Sequence, residues 1–244
     1  MRVLIVSDIH SNYTALDTVL AVAGSFDQLW NLGDTIGYGP RPNECIKTMR
    51  THARVMIGGN HDLACLGKVD LSDFNPAART ANIWNGQQLE PDNRAALETL
   101  PPQLEVDERF RVAHGSPREP VWEYLLSRPQ AEDNFALFDN QVCFIGHSHV
   151  PLIFRLHPDG EVDGPALADA DLLLELEPGY RYFLNPGSVG QPRNQDPRAA
   201  FAILDTDAGT LLFKRTEYDI GQTQRQMREA HLPNALIRRL EYGM

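Results

Sequence analysis

Five short blocks of the sequence concentrate acids, an amide and imidazoles beside glycine or serine: Ser7-Asp8-Ile9-His10, Gly33-Asp34, Gly58-Gly59-Asn60-His61-Asp62, His114-Gly115 and Gly146-His147-Ser148-His149. They supply Asp8, Asp34, Asn60 and five histidines, His10, His61, His114, His147 and His149. Imidazole combined with carboxylate oxygen suits Zn, Fe, Mn, Co or Ni. No cysteine stands in any block, which argues against a thiolate-type structural zinc site. Eight donors are too many for one catalytic ion, which keeps a coordination position open. Two ions about 3.5–4 Å apart, with one carboxylate bridging them, account for the set better. Asp8-x-His10 and His147-x-His149 are expected to reach one site together, because alternate residues of an extended segment point the same way.

The elements that must carry these blocks are strands. Val3–Val6, Leu29–Leu32, Val55–Ile57, Phe110–Ala113 and Val142–Ile145 are apolar runs, and a block follows each directly. Ligands of open α/β sheets bind beyond the carboxyl ends of the strands, so the five ends are expected to converge on one rim. Ala15, Leu16, Val19, Leu20 and Ala23 have helical spacing behind a Ser11 or Asn12 cap, and Pro42 opens a short helix to about Met49. Strands alternating with helices in the first third imply βαβ units and a largely parallel sheet. Residues 72–101 read as a helical excursion, with one helix from Asn75-Pro76 and a second capped by Asp92. The second half is richer in strands, with a hairpin turn at Pro158-Asp159-Gly160 and a helical tail from about Ile220. The expected class is α/β, two packed sheets flanked by helices, with 1–244 as a single domain.

The chain has 244 residues, 22 Lys+Arg against 33 Asp+Glu, and a formal charge of −11. That balance argues against extended binding to nucleic acid or an anionic membrane. No apolar run approaches the roughly 18 residues a spanning helix needs, and the N-terminal run is too short for a signal peptide. The three scattered cysteines, Cys45, Cys65 and Cys143, suggest no disulfide framework and a cytoplasmic setting, and read as small apolar fillers. His52, His157 and His231 match no block and read as surface histidines, while Trp84 and Trp122 read as packing residues at helical positions. Arg79 and Arg193 are candidate phosphate partners, since a guanidinium fork matches phosphate geometry.

In order and spacing, the blocks resemble the calcineurin-like metallophosphoesterases, whose pattern runs D-x-H, GD, GNH[DE], H and GHxH. The stretches Gly37-Tyr38-Gly39-Pro40 and Asn185-Pro186-Gly187-Ser188-Val189-Gly190-Gln191-Pro192-Arg193 are similar to a small bacterial branch of that superfamily. The resemblance implies that Asp8, His10 and His149 hold one metal and Asn60, His114 and His147 the other, with Asp34 bridging. It implies His61 as general acid, a hydroxide between the ions as nucleophile, and manganese as the first candidate metal. Asp62 completes the third block, either behind the ligands or as a turn cap. The implied function is hydrolysis of a small phosphoester, a diester ahead of a monoester. A Ser/Thr protein phosphatase, a nuclease and a non-catalytic scaffold are the competing classes. The phosphatases carry a second acid after GD that orients the histidine, and Gly33-Asp34-Thr35-Ile36-Gly37-Tyr38 has none. A net charge of −11 argues against a nuclease, and the intact His61 against a scaffold.

Overall fold

Strand β1 (Arg2–Val6) is apolar at four successive positions, Val3 to Val6, and all four are fully buried. Such a run requires cover on both faces, and the fold supplies it. The structure, a computed structural model, describes residues 1–244. β1 sits inside a six-stranded sheet beside β2 (Gln28–Asn31) and β3 (Ala53–Met56) on one side, and β11 (Ala199–Asp205), β12 (Thr210–Thr216) and β9 (Leu173–Glu175) on the other. The second six-stranded sheet runs β4 (Gln103–Glu105), β5 (Phe110–Ala113), β6 (Val142–Ile145), β10 (Arg181–Asn185), β7 (Leu152–Leu156) and β8 (Val162–Leu167).

The two sheets face each other across one core. Trp30 of the first sheet meets Phe110 and Phe144 of the second, with ring centroids 5.7 and 6.0 Å away. Val3, Ile5, Val112, Tyr182, Leu184, Ala202 and Leu204 complete this central layer. On the outer face of the first sheet, α1 (Tyr13–Val22) and α2 (Pro42–His52) pack Leu16, Val19 and Met49 onto Leu4, Val6 and Phe201. On the outer face of the second, α6 (Arg128–Phe135) packs Ala131 and Phe135 onto Cys143, Phe154 and Phe183. Each large apolar side chain buried in these layers contributes about 1.5–3 kcal/mol. All three cysteines are free and buried, as the reading of them as apolar fillers expects.

Register delivers the chemistry. Val6 pairs with Asn31 and Asn31 with Met56 in parallel, so β1, β2 and β3 end side by side. Ala113 pairs with Ile145 in the second sheet, which brings the His114 and Gly146 turns together. Parallel pairing is confined to β3-β2-β1 and β5-β6-β10. Every other pair is antiparallel, so the sheets are mixed and not largely parallel. β9, β11 and β12 from the second half complete the first sheet and cover the side of β1 that the βαβ units leave open.

Helices begin at the expected caps. Asn12 accepts from the Ala15 amide at 3.2 Å, and Asn75 from the Ala78 amide at 3.0 Å with Pro76 in the first turn; such caps contribute about 1 kcal/mol each. α3 (Asn60–Cys65) precedes the excursion, which holds α4 (Pro76–Gln88) and α5 (Pro91–Glu98). Asp92 does not cap α5: Glu90 is the cap position and Asp92 lies in the first turn. The tail forms α7 (Ile220–Glu229) and α8 (Asn234–Arg239), whose Met227, Leu236 and Ile237 pack with Phe74, Ala78 and Ala81 of the excursion. Trp122 lies in a turn after β5 and not on a helix. No helix is long and apolar enough to cross a membrane.

Candidate metal centre

Beyond the strand ends the backbone coils tightly. Asp8, His10, Asp34, His147 and His149 all adopt left-handed conformations, with φ of 52°, 49°, 49°, 63° and 60°. Asp8-x-His10 and His147-x-His149 are therefore not extended, and the alternation argument fails. Ladder-like bonds carried past the strands hold the turns instead: Asp8 N donates to Gly33 O (3.1 Å), His10 N to Asp34 O (3.0 Å) and Ser11 N to Thr35 O (3.0 Å). A non-glycine residue held there costs about 1–3 kcal/mol, and such positions cluster at functional sites.

The turns bring seven of the sequence-selected side chains into one buried centre. Asp8, His10, Asp34 and His149 point ligand-type atoms at one another, and so do Asp34, His114 and His147. Asp34 belongs to both groups: its Oδ2 is 3.6 Å from His10 Nε2 and 3.4 Å from His114 Nε2. On the first side, His149 Nε2 lies 3.3 Å from Asp8 Oδ1. On the second, Asn60 Oδ1 lies 3.2 Å from His114 Nε2.

The donor set fits divalent metal ions. Each aspartate spends one oxygen on the protein and leaves the other free. Asp8 Oδ2 accepts from Ser7 Oγ at 2.7 Å and from His147 N at 3.1 Å, and Asp34 Oδ1 accepts from His61 N at 2.9 Å. Asp8 Oδ1 and Asp34 Oδ2 are buried with no hydrogen-bond partner, an expensive state for a carboxylate unless a cation meets it. The imidazoles are fixed from behind by carbonyls. His10 Nδ1 donates to Ile36 O (3.2 Å), His114 Nδ1 to Leu32 O (2.9 Å) and His149 Nδ1 to Gln191 O (2.6 Å), which turns each Nε2 toward the centre. His147 is turned round: its Nε2 donates to Trp122 O at 3.2 Å and Nδ1 remains. Such carbonyl partners set the tautomer of metal-ligating histidines. His10 Nε2 and His149 Nε2 face each other at 3.0 Å, a contact of two acceptors that a shared cation resolves.

The electrostatics agree. Burial pushes His147 down to about 3 and lowers His10 and His149, so these rings stay neutral with their lone pairs available. Burial and the neighbouring Asp34 charge push Asp8 up to about 7. Burial alone would also raise Asp34, but the nearby His114 and His61 charges hold it below the usual carboxylate range. His114 moves the other way, to about 9: burial opposes its charge, and Asp34 and Asp8 overcome that.

His61 borders the centre. Burial lowers it to about 4, against the Asp34 charge and its hydrogen bond to Asn82. Its Nδ1 donates to Asn82 Oδ1 at 2.8 Å. Asn82 lies on α4, is fully buried, and was not among the residues selected from sequence. Asp62 is a loop organiser: its carboxylate accepts from the amides of Ile36 (3.0 Å), Gly59 (3.0 Å) and Thr35 (3.3 Å).

The two arginines part company. Arg193 comes to the centre: its amide donates to His149 O at 3.3 Å, and its Nη2 to Gln191 Oε1 at 3.1 Å and Tyr38 OH at 3.3 Å, while its Nε is buried without a partner. Arg79 is exposed on α4 and gives its Nε to Leu71 O at 3.0 Å. It is not among the residues that line the cleft beside the centre. Arg239 of α8 was missed by sequence; burial first, then the like charge of Arg193, lowers it to about 10. His52 and His231 are exposed, and half-buried His157 pairs with Asp163 at 2.6 Å.

A cleft of about 140 Å³ opens on Asn60, His61 and His147, with Tyr38, Phe74, Trp122 and Tyr124 as walls. Trp122, expected as packing, lines it.

The calcineurin-like phosphoesterase superfamily domain matches residues 1–209. A crystal structure of a metallophosphoesterase from Sphaerobacter thermophilus superposes at a TM-score of 0.90 with 44% identity, over 100% of both chains. An uncharacterised protein of Methanocaldococcus jannaschii is 33% identical over 249 residues, 99% of this chain and 98% of its own. A symmetrical bis(5'-nucleosyl)-tetraphosphatase of Chromohalobacter salexigens is 30% identical over 115 residues, 46% of this chain and 35% of its own. Two mixed sheets with a buried Asp/His centre at their rim, taken with these likenesses, define a metal-dependent phosphoester hydrolase. The chain belongs to the calcineurin-like phosphoesterase superfamily.

Proposed function

We propose that the chain hydrolyses a small phosphoester, a diester in preference to a monoester, at a centre of two divalent transition-metal ions, manganese first among the candidates. Asp8, His10 and His149 would hold one ion and Asn60, His114 and His147 the other, with the Asp34 carboxylate shared between them. The observation that carries this reading is the free Asp34 Oδ2, shared between the two buried donor groups. When bound, two such ions would neutralise phosphoryl charge and make water a nucleophile near neutral pH.

The chain's own residues supply the rest. His61 lines the cleft, and with Nδ1 committed to Asn82 its other nitrogen, Nε2, delivers a proton to the leaving oxygen. Its low proton affinity rises when an anionic ester sits beside it, so the proton is taken up with the substrate's charge. Arg193 holds a non-bridging phosphoryl oxygen, since it pairs with no carboxylate and its Nε is unspent. A net charge of −11 disfavours long polyanions and favours a small ester. Three free, buried cysteines fit a reducing cytoplasm.

Hydrolysis of bis(4-nitrophenyl) phosphate and 4-nitrophenyl phosphate by the manganese-saturated chain tests this reading. Turnover of the diester that exceeds the monoester, and that a chelator abolishes, is expected. A folded, metal-loaded chain that turns over neither would refute it.

A further inference from the structure

The cleft beside the centre has walls of an unusual kind for a site that handles an anion. Tyr38, Phe74, Trp122 and Tyr124 line it, and no lysine or arginine does. The rings line it in two contacting groups. Tyr38 and Phe74 approach His61 at 4.3 and 4.9 Å between centroids, and Phe74 meets Trp122 at 5.5 Å. Tyr124 stacks on His147 at 4.0 Å and 21°, and remains 43% exposed. An aromatic ring left that exposed beside a buried imidazole is a platform with one face open. Asp73 and Asn75 stand among the other lining residues, so the walls are apolar and polar groups are at hand.

At about 140 Å³ the cleft is smaller than the roughly 300–1,000 Å³ of pockets that enclose a whole drug-sized ligand. It has room for one planar ring system of a larger substrate, with Asn60 and His147 among its lining residues. The Asp73 carboxylate disfavours a second phosphate in the cleft and accepts from ring amino groups.

We propose that this cleft binds a nucleobase, so that the substrate is a nucleoside phosphoester. The proposal rests on the centre being the phosphoester site, but ring binding is measurable apart from turnover. Stacking gains free energy from any flat π-face, and the polar groups favour a base over a plain phenyl ring.

The experiment uses the full chain as purified. Binding of adenosine, of ribose and of phenol is followed by tryptophan fluorescence and calorimetry. Adenosine is expected to bind, ribose not, and phenol more weakly than adenosine. Trp122→Leu and Tyr124→Ala are each expected to weaken adenosine on the order of tenfold, while Trp122→Phe, which keeps a ring, retains most of the affinity. Circular dichroism establishes that each variant is folded. In turnover, adenosine 5'-monophosphate and ribose 5-phosphate share the same leaving alkoxide, and the first is expected to have the higher kcat/KM. Adenosine affinity unchanged in folded Trp122→Leu and Tyr124→Ala, or equal kcat/KM for the two esters, would overturn the proposal. Trp122-dependent adenosine binding in a chain that hydrolyses no phosphoester would uphold the cleft and refute the hydrolytic reading instead.

Discussion

His61 Nδ1 lies 2.8 Å from Asn82 Oδ1, and that bond joins α3 to α4 of the helical excursion. The partner is neutral, fully buried and 21 residues downstream. It replaces, from another element, the orienting acid that is missing after Gly33-Asp34. An amide fixes the ring without adding negative charge, so His61 is oriented while its proton affinity stays low.

His61→Ala is expected to lower kcat by about 10²–10⁴ on esters with poor leaving groups, and much less on nitrophenyl esters, whose leaving oxygen needs no proton. Asn82→Ala is expected to lower the same rates on the order of tenfold, with Asn82→Asp restoring part of the loss. Adding Asn82→Ala to His61→Ala should then change nothing further. Additive losses in steady-state kinetics would break the link between the two residues.

Gly59 has φ −106°, which any residue adopts, so its role is steric. A Cβ there would fall on Asp34 Oδ1 and close to the Asp34 backbone. Gly59→Ala is expected to cost about 1–3 kcal/mol in urea unfolding and to displace the Asp34 carboxylate. Wild-type stability together with wild-type metal content would contradict this packing.

The metal-free chain should be most stable near neutrality. His61 at about 4 and His147 at about 3, with His10 and His149 also lowered, stay neutral while the unfolded chain takes up protons below its ordinary 6.5. Stability is therefore lost as pH falls through that window. Asp8 and Asp62, both raised to about 7, oppose this with two protons against four. On the other side His114, raised to about 9, gives stability that disappears as pH rises through its folded value. Each net proton is about 1.4 kcal/mol per pH unit. Urea midpoints of chelator-treated protein should fall on both sides of pH 7, and a steady rise from pH 5 to 9 would contradict the assignment.

The strand ends and the five blocks were legible because burial on both faces writes an unbroken apolar run, and a polar turn must follow it. Val6 beside Asn31, and Ala113 beside Ile145, then force the blocks together. The turn geometry was not legible: no residue type announces that Asp8 and His147 take positive φ, which tertiary bonds across the strand ends impose. Asn82, Trp122 and Arg239 escaped for a related reason. Each reaches the site from an element whose docking depends on contacts distant in sequence, as in the packing of α8 on the excursion. β8 contains Gly164 and Pro165, which read against a strand, and it is tolerated because it lies at the sheet edge. Helix α6 did carry a signal, Ser127 with Gln130 three residues on, but in a short and polar segment.

Metal stoichiometry tests the central claim most directly. The chain is saturated with Mn(II), desalted and analysed by mass spectrometry of the metal, alongside Asp34→Asn. The account predicts two ions per chain in the wild type and fewer than two in Asp34→Asn, with the fold intact by circular dichroism. One ion or none in the wild type, or two retained without the Asp34 carboxylate, would contradict it.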